Sequence, residues 1–225
     1  MPRSRYTVVG KLRASGRAEL SICLPRGAYR VDDVVLVKTF AANVLERAGD
    51  DDLPSELELC SRLHHDNIVR TLGCGSDEGK DFIVTEYLEG ITLRRLLEWL
   101  HTHGERLADA AVVRILLGVF AAVEHATRCA VTPAARSLVH EVVAAEDVFI
   151  TCKGDVKLLA FKPSSRFDGA DDDSAIIDRA AVDALLTTQR SPQLSLVLAR
   201  VGARLAPSSV LGLWQIARAL ESWQE

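Results

Sequence analysis

The chain has 225 residues, enough for one large domain or two small lobes with a real core. Its net charge is −4 with both signs interspersed, so no basic excess points to nucleic acid and no polybasic run to a membrane surface. The stretch "MPRSRYTVVG" has no apolar signal core, and no apolar run is read as long enough to span a bilayer, so a cytoplasmic setting is expected. From the N-terminus, "YTVVGKL" and "AELSICL" read as strands joined by the turn-like "RASGR". "VDDVVLVKTF" is a third strand, introduced by Gly27 and two acids. In "LPSELELCSRLHH" the period changes to that of a helix, with Leu57, Cys60 and Leu63 on one face. Pro54 suits its first turn, and Asp50, Asp51 and Asp52 suit the positive end of its dipole. "NIVRTLGCGSDEGKDFIVTEYL" reads as two strands around "SDEGKD".

After Gly90 the pattern becomes helical. "TLRRLLEWLHTH" is amphipathic, and "LADAAVVRILLGVFAAVEHATRC" is apolar on most sides, as a helix in a domain centre would be. Two β-rich runs, "DVFIT" and "DVKLLAF", flank Lys153-Gly154. "GADDDSAIID" reads as a solvated loop, and the remainder as two or three helices. Strands first and helices after, with one hairpin returning, is an α+β order with segregated lobes. Five cysteines, Cys23, Cys60, Cys74, Cys129 and Cys152, include no C-x-x-C pair, and most sit in apolar runs where buried, reduced thiols are expected.

The order of motifs resembles that of protein kinases, in the style of bacterial Ser/Thr kinases of the eukaryotic type. "VLVK" is similar to the family's phosphate-binding lysine strand, and the resemblance gives Lys38 that role. "ELELCSRLHHDNIVRTLG" looks like the family's helix C and following strand, which makes Glu56 the lysine's ion-pair partner. "IVTEYLEG" resembles the hinge, with Thr85 as gatekeeper and Glu86 to Leu88 as linker. "LVHEVVAAEDVFI" and "VKLLAFK" match the catalytic and metal-binding loops. The motifs cover roughly residues 6–165. The implied fold is bilobal, with a β-rich N-lobe over about 1–86 and a reduced, mostly helical C-lobe over about 87–225.

The departures fall on the chemistry. Phosphoryl transfer is positioning plus neutralisation of phosphate charge. The family's proton-accepting aspartate is Val142 here, and its main metal-holding aspartate is Ala160. The second metal ligand, usually Asn, is Asp147. Arg13, Ser15 and Ala18 stand where three glycines would let backbone amides approach phosphates. Leu36 replaces the small residue above the adenine, and Phe149 occupies the floor, so the two would fill the slot. From Ala160 to Asp178 there is only a short acidic loop, and no A-P-E follows. "DRAAVDALL" and "LARVGARLAPSSVLGLWQIARALESW" resemble remnants of C-lobe helices.

Plainer readings compete at each residue. Lys38 could be a solvated strand lysine, although Glu56 favours a semi-buried pair. His140 fits a packed core histidine beside Phe161, His64 and His65 a helix-end turn, and His101 and His103 two solvated faces of one helix. Ser164 and Ser165 could accept phosphate, but serines in a polar loop are unremarkable. The expectation is a catalytically inactive, signalling pseudokinase that regulates or scaffolds a partner protein such as an active kinase. It has no cofactor, no bound metal, and no nucleic-acid or membrane partner. The alternative is a nucleotide-binding switch or atypical Ser/Thr kinase using Lys38, Glu56 and Asp147. A small-molecule phosphotransferase fares worse, because it needs the same missing acids.

Overall fold

In the computed structural model, residues 5–14, 18–28, 30–40, 62–129 and 143–159 are described. The chain divides into two compact units. The first holds residues 1–64 and 69–88, and the second holds 65–68 and everything from Glu89 onward.

The described residues of the first unit form a five-stranded antiparallel sheet in the order β1-β2-β3-β5-β4. The strands are β1 (Tyr6–Ala14), β2 (Ala18–Pro25), β3 (Val35–Phe40), β4 (Thr71–Asp77) and β5 (Lys80–Glu86). Alternation along β3 sends Val35 and Val37 into a core with Cys23, Phe82 and Val84, against which Tyr6 packs. The third strand starts later than "VDDVVLVKTF" indicates, because Val31–Asp33 form a short 3-10 turn. There the Arg30 amide donates to Asp33 Oδ2 and the Asp33 amide to the Arg30 carbonyl, which closes the backbone on itself instead of into the ladder. β1 carries two bulges, at Val9 and Leu12, and both side chains are exposed.

Among the described residues, the second unit joins a three-stranded antiparallel sheet to two helices. The sheet runs β6 (Gly90–Thr92), β7 (Val148–Thr151) and β8 (Val156–Leu158). β6 lies where the sequence reads as the start of a helix; its three residues are too few to show a period of two. Helix α1 (Leu93–His103) starts at Thr92, whose hydroxyl accepts the Arg95 amide, and ends at a left-handed Gly104. Helix α2 (Asp109–Cys129) is the core helix expected, with Val112, Val113, Leu116, Phe120 and Val123 all buried.

Two expectations are corrected here. By length and composition α2 is long and apolar enough to cross a membrane, contrary to the reading that no run is. Its apolarity has an internal use, because more than half of its most apolar stretch is buried within the protein. Cys23 is buried as expected, but Cys74 and Cys152 are exposed and Cys129 is half-buried. Cys74 lies on the outward face of alternating β4 and Cys152 in the turn after β7, so an apolar neighbourhood in sequence did not mean burial.

Candidate functional site

Lys38 sits in β3, in register with Leu20 of β2 and Ile83 of β5. It is half-buried, and its Nζ lies 4.8 Å from the centroid of the Phe40 ring, two residues on and on the same strand face. Next to it, Thr39 Oγ1 is buried without a hydrogen-bond partner among the described residues. Leu36 is half-buried and in register with Ile22 and Thr85. Glu56 and Ser15 lie outside the described residues, so the expected Lys38–Glu56 pair does too.

Thr85, half-buried, and Glu86 end β5. Glu86 is tied to the strand entry twice over. Its amide donates to the Arg70 carbonyl at 3.0 Å, and its Oε1 accepts the Arg70 amide at 2.9 Å. This clamp fixes where the linker leaves the sheet; Tyr87 is then exposed and Leu88 half-buried.

Asp147 is the anchor of the second unit. It is only 7% exposed, and three backbone bonds fix its place. Its amide donates to the Ala144 carbonyl at 2.9 Å, and its Oδ2 accepts the Ala144 amide at 3.2 Å, closing one turn. Its carbonyl accepts the Leu159 amide at 2.8 Å, which ties the end of the β7–β8 hairpin to that turn. Helix α1 holds the same turn from the other side: the Arg94 amide donates to the Ala145 carbonyl at 3.1 Å, and Arg94 Nε to Glu146 Oε2 at 2.8 Å. Phe149, half-buried in β7, is in register with Thr92 and Lys157. Val142, Ala160 and His140 lie outside the described residues.

Asn67 was missed by sequence reasoning. Its carbonyl accepts the Leu158 amide at 2.7 Å, and its side-chain amide donates to the Val156 carbonyl at 2.9 Å. It thereby stitches the 65–68 segment to β8, beside the parallel bridge between Ile68 and Leu158. The available signal was an amide side chain placed directly before an apolar pair in "DNIV". His65 fits the expected turn, its Nδ1 accepting the Asn67 amide at 3.0 Å. His101 and His103 are exposed as expected, but His103 stacks on Trp99 with centroids 4.3 Å apart.

Among the described residues, no group of three or more His, Cys, Asp or Glu side chains is placed to hold a metal ion. What remains is one strand lysine, one clamped linker and one buried carboxylate bound into its own loop. A β-sheet unit carrying that lysine, and a helical unit built on that hairpin, define a protein kinase-like domain.

Residues 20–175 match the model of the family described as protein tyrosine and serine/threonine kinase, and the chain belongs to that family. It is similar to the serine/threonine-protein kinase PknL of Mycobacterium tuberculosis, at 32% identity over 164 residues, covering 70% of this chain and 36% of that protein. A probable serine/threonine-protein kinase of Dictyostelium discoideum is 24% identical over 177 residues, covering 75% of this chain and 33% of that protein. The chain thus spans about a third of the length of these curated relatives. The crystal structure of the Mycobacterium tuberculosis PknI kinase domain shares the fold, with a TM-score of 0.68 at 22% identity, over 97% of this chain and 96% of that one.

Proposed function

We propose that this chain is a catalytically inactive kinase-like domain that works by binding and regulating another protein in signalling. One observation carries the reading. The loop that holds Asp147 is closed by backbone bonds, yet the two family positions that flank the segment 143–159 have no side-chain oxygen: Val142, and Ala160 directly after Leu159. Mg²⁺ bound to phosphates is held by one or two carboxylates, so Asp147 alone does not forbid metal. Asp147 Oδ2 already accepts the Ala144 amide, which supports a structural use for this carboxylate. With Val142 at the position that accepts the substrate hydroxyl proton and Ala160 at that of the main metal ligand, both family positions that carry the transfer lack their acid.

In this reading Leu36 and Phe149 take the place of the adenine, and Lys38 with Glu56 braces the first unit instead of holding phosphate. The setting is cytoplasmic, and the partner is a protein, with neither nucleic acid nor membrane involved.

A second reading, a nucleotide-responsive switch, draws on the survival of Lys38 and Asp147. Melting curves with millimolar ATP and Mg²⁺ separate the two. A ligand at a hundredfold excess over Kd stabilises by about 2.7 kcal/mol, a clear rise in Tm. No rise is expected. A rise that ADP competes away and Lys38→Ala abolishes would replace the scaffold reading with the switch.

A further inference from the structure

The last turns of α2 hold a cluster that the proposed function does not use. Cys129 Sγ lies 3.6 Å from His125 Nε2, one turn earlier on the same helix. The His125 ring is in turn 5.0 Å, centroid to centroid, from the ring of His65, at an interplanar angle of 35°. His65 is held by the Asn67 amide on its Nδ1, so its neutral form carries the proton on Nε2. Arg128, the adjacent cation, is paired with Glu124 at 3.8 Å. The other described cysteines differ. Cys23 is buried, and burial, followed by the charge of Glu19, pushes its thiol up. Cys74 and Cys152 are exposed, and among the described residues only Cys129 has an imidazole in contact with its sulfur.

We propose that Cys129 and His125 form a base-assisted thiol that undergoes exchange with low-molecular-weight disulfides. A nucleophile within reach of a base is the core of the arrangement such chemistry needs, and here the base ring also lies against the His65 ring. His125 Nε2 takes the Sγ proton as Sγ attacks one sulfur of the reagent. A new Sγ–S bond forms, the reagent's S–S bond breaks, and the departing thiolate recovers the proton from the imidazolium. Cys129 is oxidised and half of the reagent is reduced to a thiol, so no further oxidant enters. The proton moves with the attack. A half-buried sulfur also favours a small disulfide over a protein one. The proposal is independent of whether the domain transfers phosphate.

The test is site-resolved. The full chain is incubated with oxidised glutathione, quenched at intervals with acid, digested, and each cysteine's mixed disulfide quantified by mass spectrometry. Cys129 should react at least about tenfold faster than Cys74 and Cys152 although it is less exposed. His125→Asn should bring Cys129 down to or below the rate of those two while leaving theirs unchanged. A wild-type Cys129 that is no faster than Cys74 and Cys152, or one indifferent to His125→Asn, overturns the proposal. Should the variant unfold, which a newly reactive Cys23 would reveal, the wild-type ratio decides alone: tenfold or more supports the pair, and anything less overturns it.

Discussion

Two hairpins differ in what closes them. The β4–β5 hairpin, whose β5 also pairs with β3, is closed by its own turn. Glu78 and Gly79 both have positive φ, 50° and 72°, which matches the right-handed twist of the strands it joins. The β7–β8 hairpin depends on its surroundings. Asn67 bonds to it at two points, the Asp147 carbonyl takes the Leu159 amide, and α2 approaches so closely that a Cβ on Gly118 would lie 2.8 Å from Val156 Cβ and 3.0 Å from Asn67 Nδ2. The difference separates architecture from chemistry. The second hairpin is placed by backbone bonds, by the Asn67 side chain and by the absent side chain at Gly118, none of which needs a catalytic acid. Its geometry does not depend on which side chains stand at positions 142 and 160, as the proposed reading requires.

Substitutions should break the two hairpins very unequally. Gly118→Val forces an overpacked helix–strand contact, and overpacking costs about 1–3 kcal/mol and sometimes more. We expect the upper end, about 3 kcal/mol, read as a loss of cooperative melting at a lower Tm. Asn67→Ala leaves the Val156 carbonyl without its side-chain donor, which should cost about 1–3 kcal/mol. Hydrogen exchange should then speed up at Leu158 and Leu159 while β4 and β5 are unaffected. Gly79→Ala sets a side chain in the left-handed region and should cost about 1 kcal/mol, with faster exchange confined to Asp77–Lys80. If Gly79→Ala proved as damaging as Gly118→Val, the contrast between a self-held and a scaffold-held hairpin would be lost.

The smallest expected effect lies at the sheet edge. Lys11 Nζ is 3.0 Å from Glu19 Oε1, and chiefly that hydrogen bond holds the Glu19 carboxyl below the usual carboxylate range. A carboxyl lowered in the folded state adds stability above its unfolded pKa, and that stability fades as pH falls through the folded value. Both side chains see solvent, so Lys11→Met should cost under about 1 kcal/mol at neutral pH and nothing once Glu19 is protonated. Urea midpoints of the two proteins should converge as the pH is lowered.

Much of this fold was legible in the sequence, and what was not has physical causes. β3, β5 and both helices show their periods plainly, because each buries one face or nearly all of itself. β6 did not, being held by three residues of pairing to β7 without an alternation of its own. The exposed thiols of Cys74 and Cys152 depend on strand facing and turn position, which local apolarity does not encode. Lys38 and Asp147 could be picked out by the motifs around them. The use of the Asp147 carboxylate on the Ala144 amide was not read, although it is a local bond between residues three apart, because the motif assigned that carboxylate to a metal. Asn67 is the instructive miss: its role exists only because a segment more than eighty residues away in sequence folds against it.

The central claim, a kinase fold kept without phosphoryl transfer, is tested most directly by incubating the full chain with radiolabelled ATP, Mg²⁺ or Mn²⁺ and generic protein substrates. The prediction is no label, on itself or on any substrate, above a heat-killed control. Reproducible autophosphorylation that disappears in Lys38→Ala would contradict it.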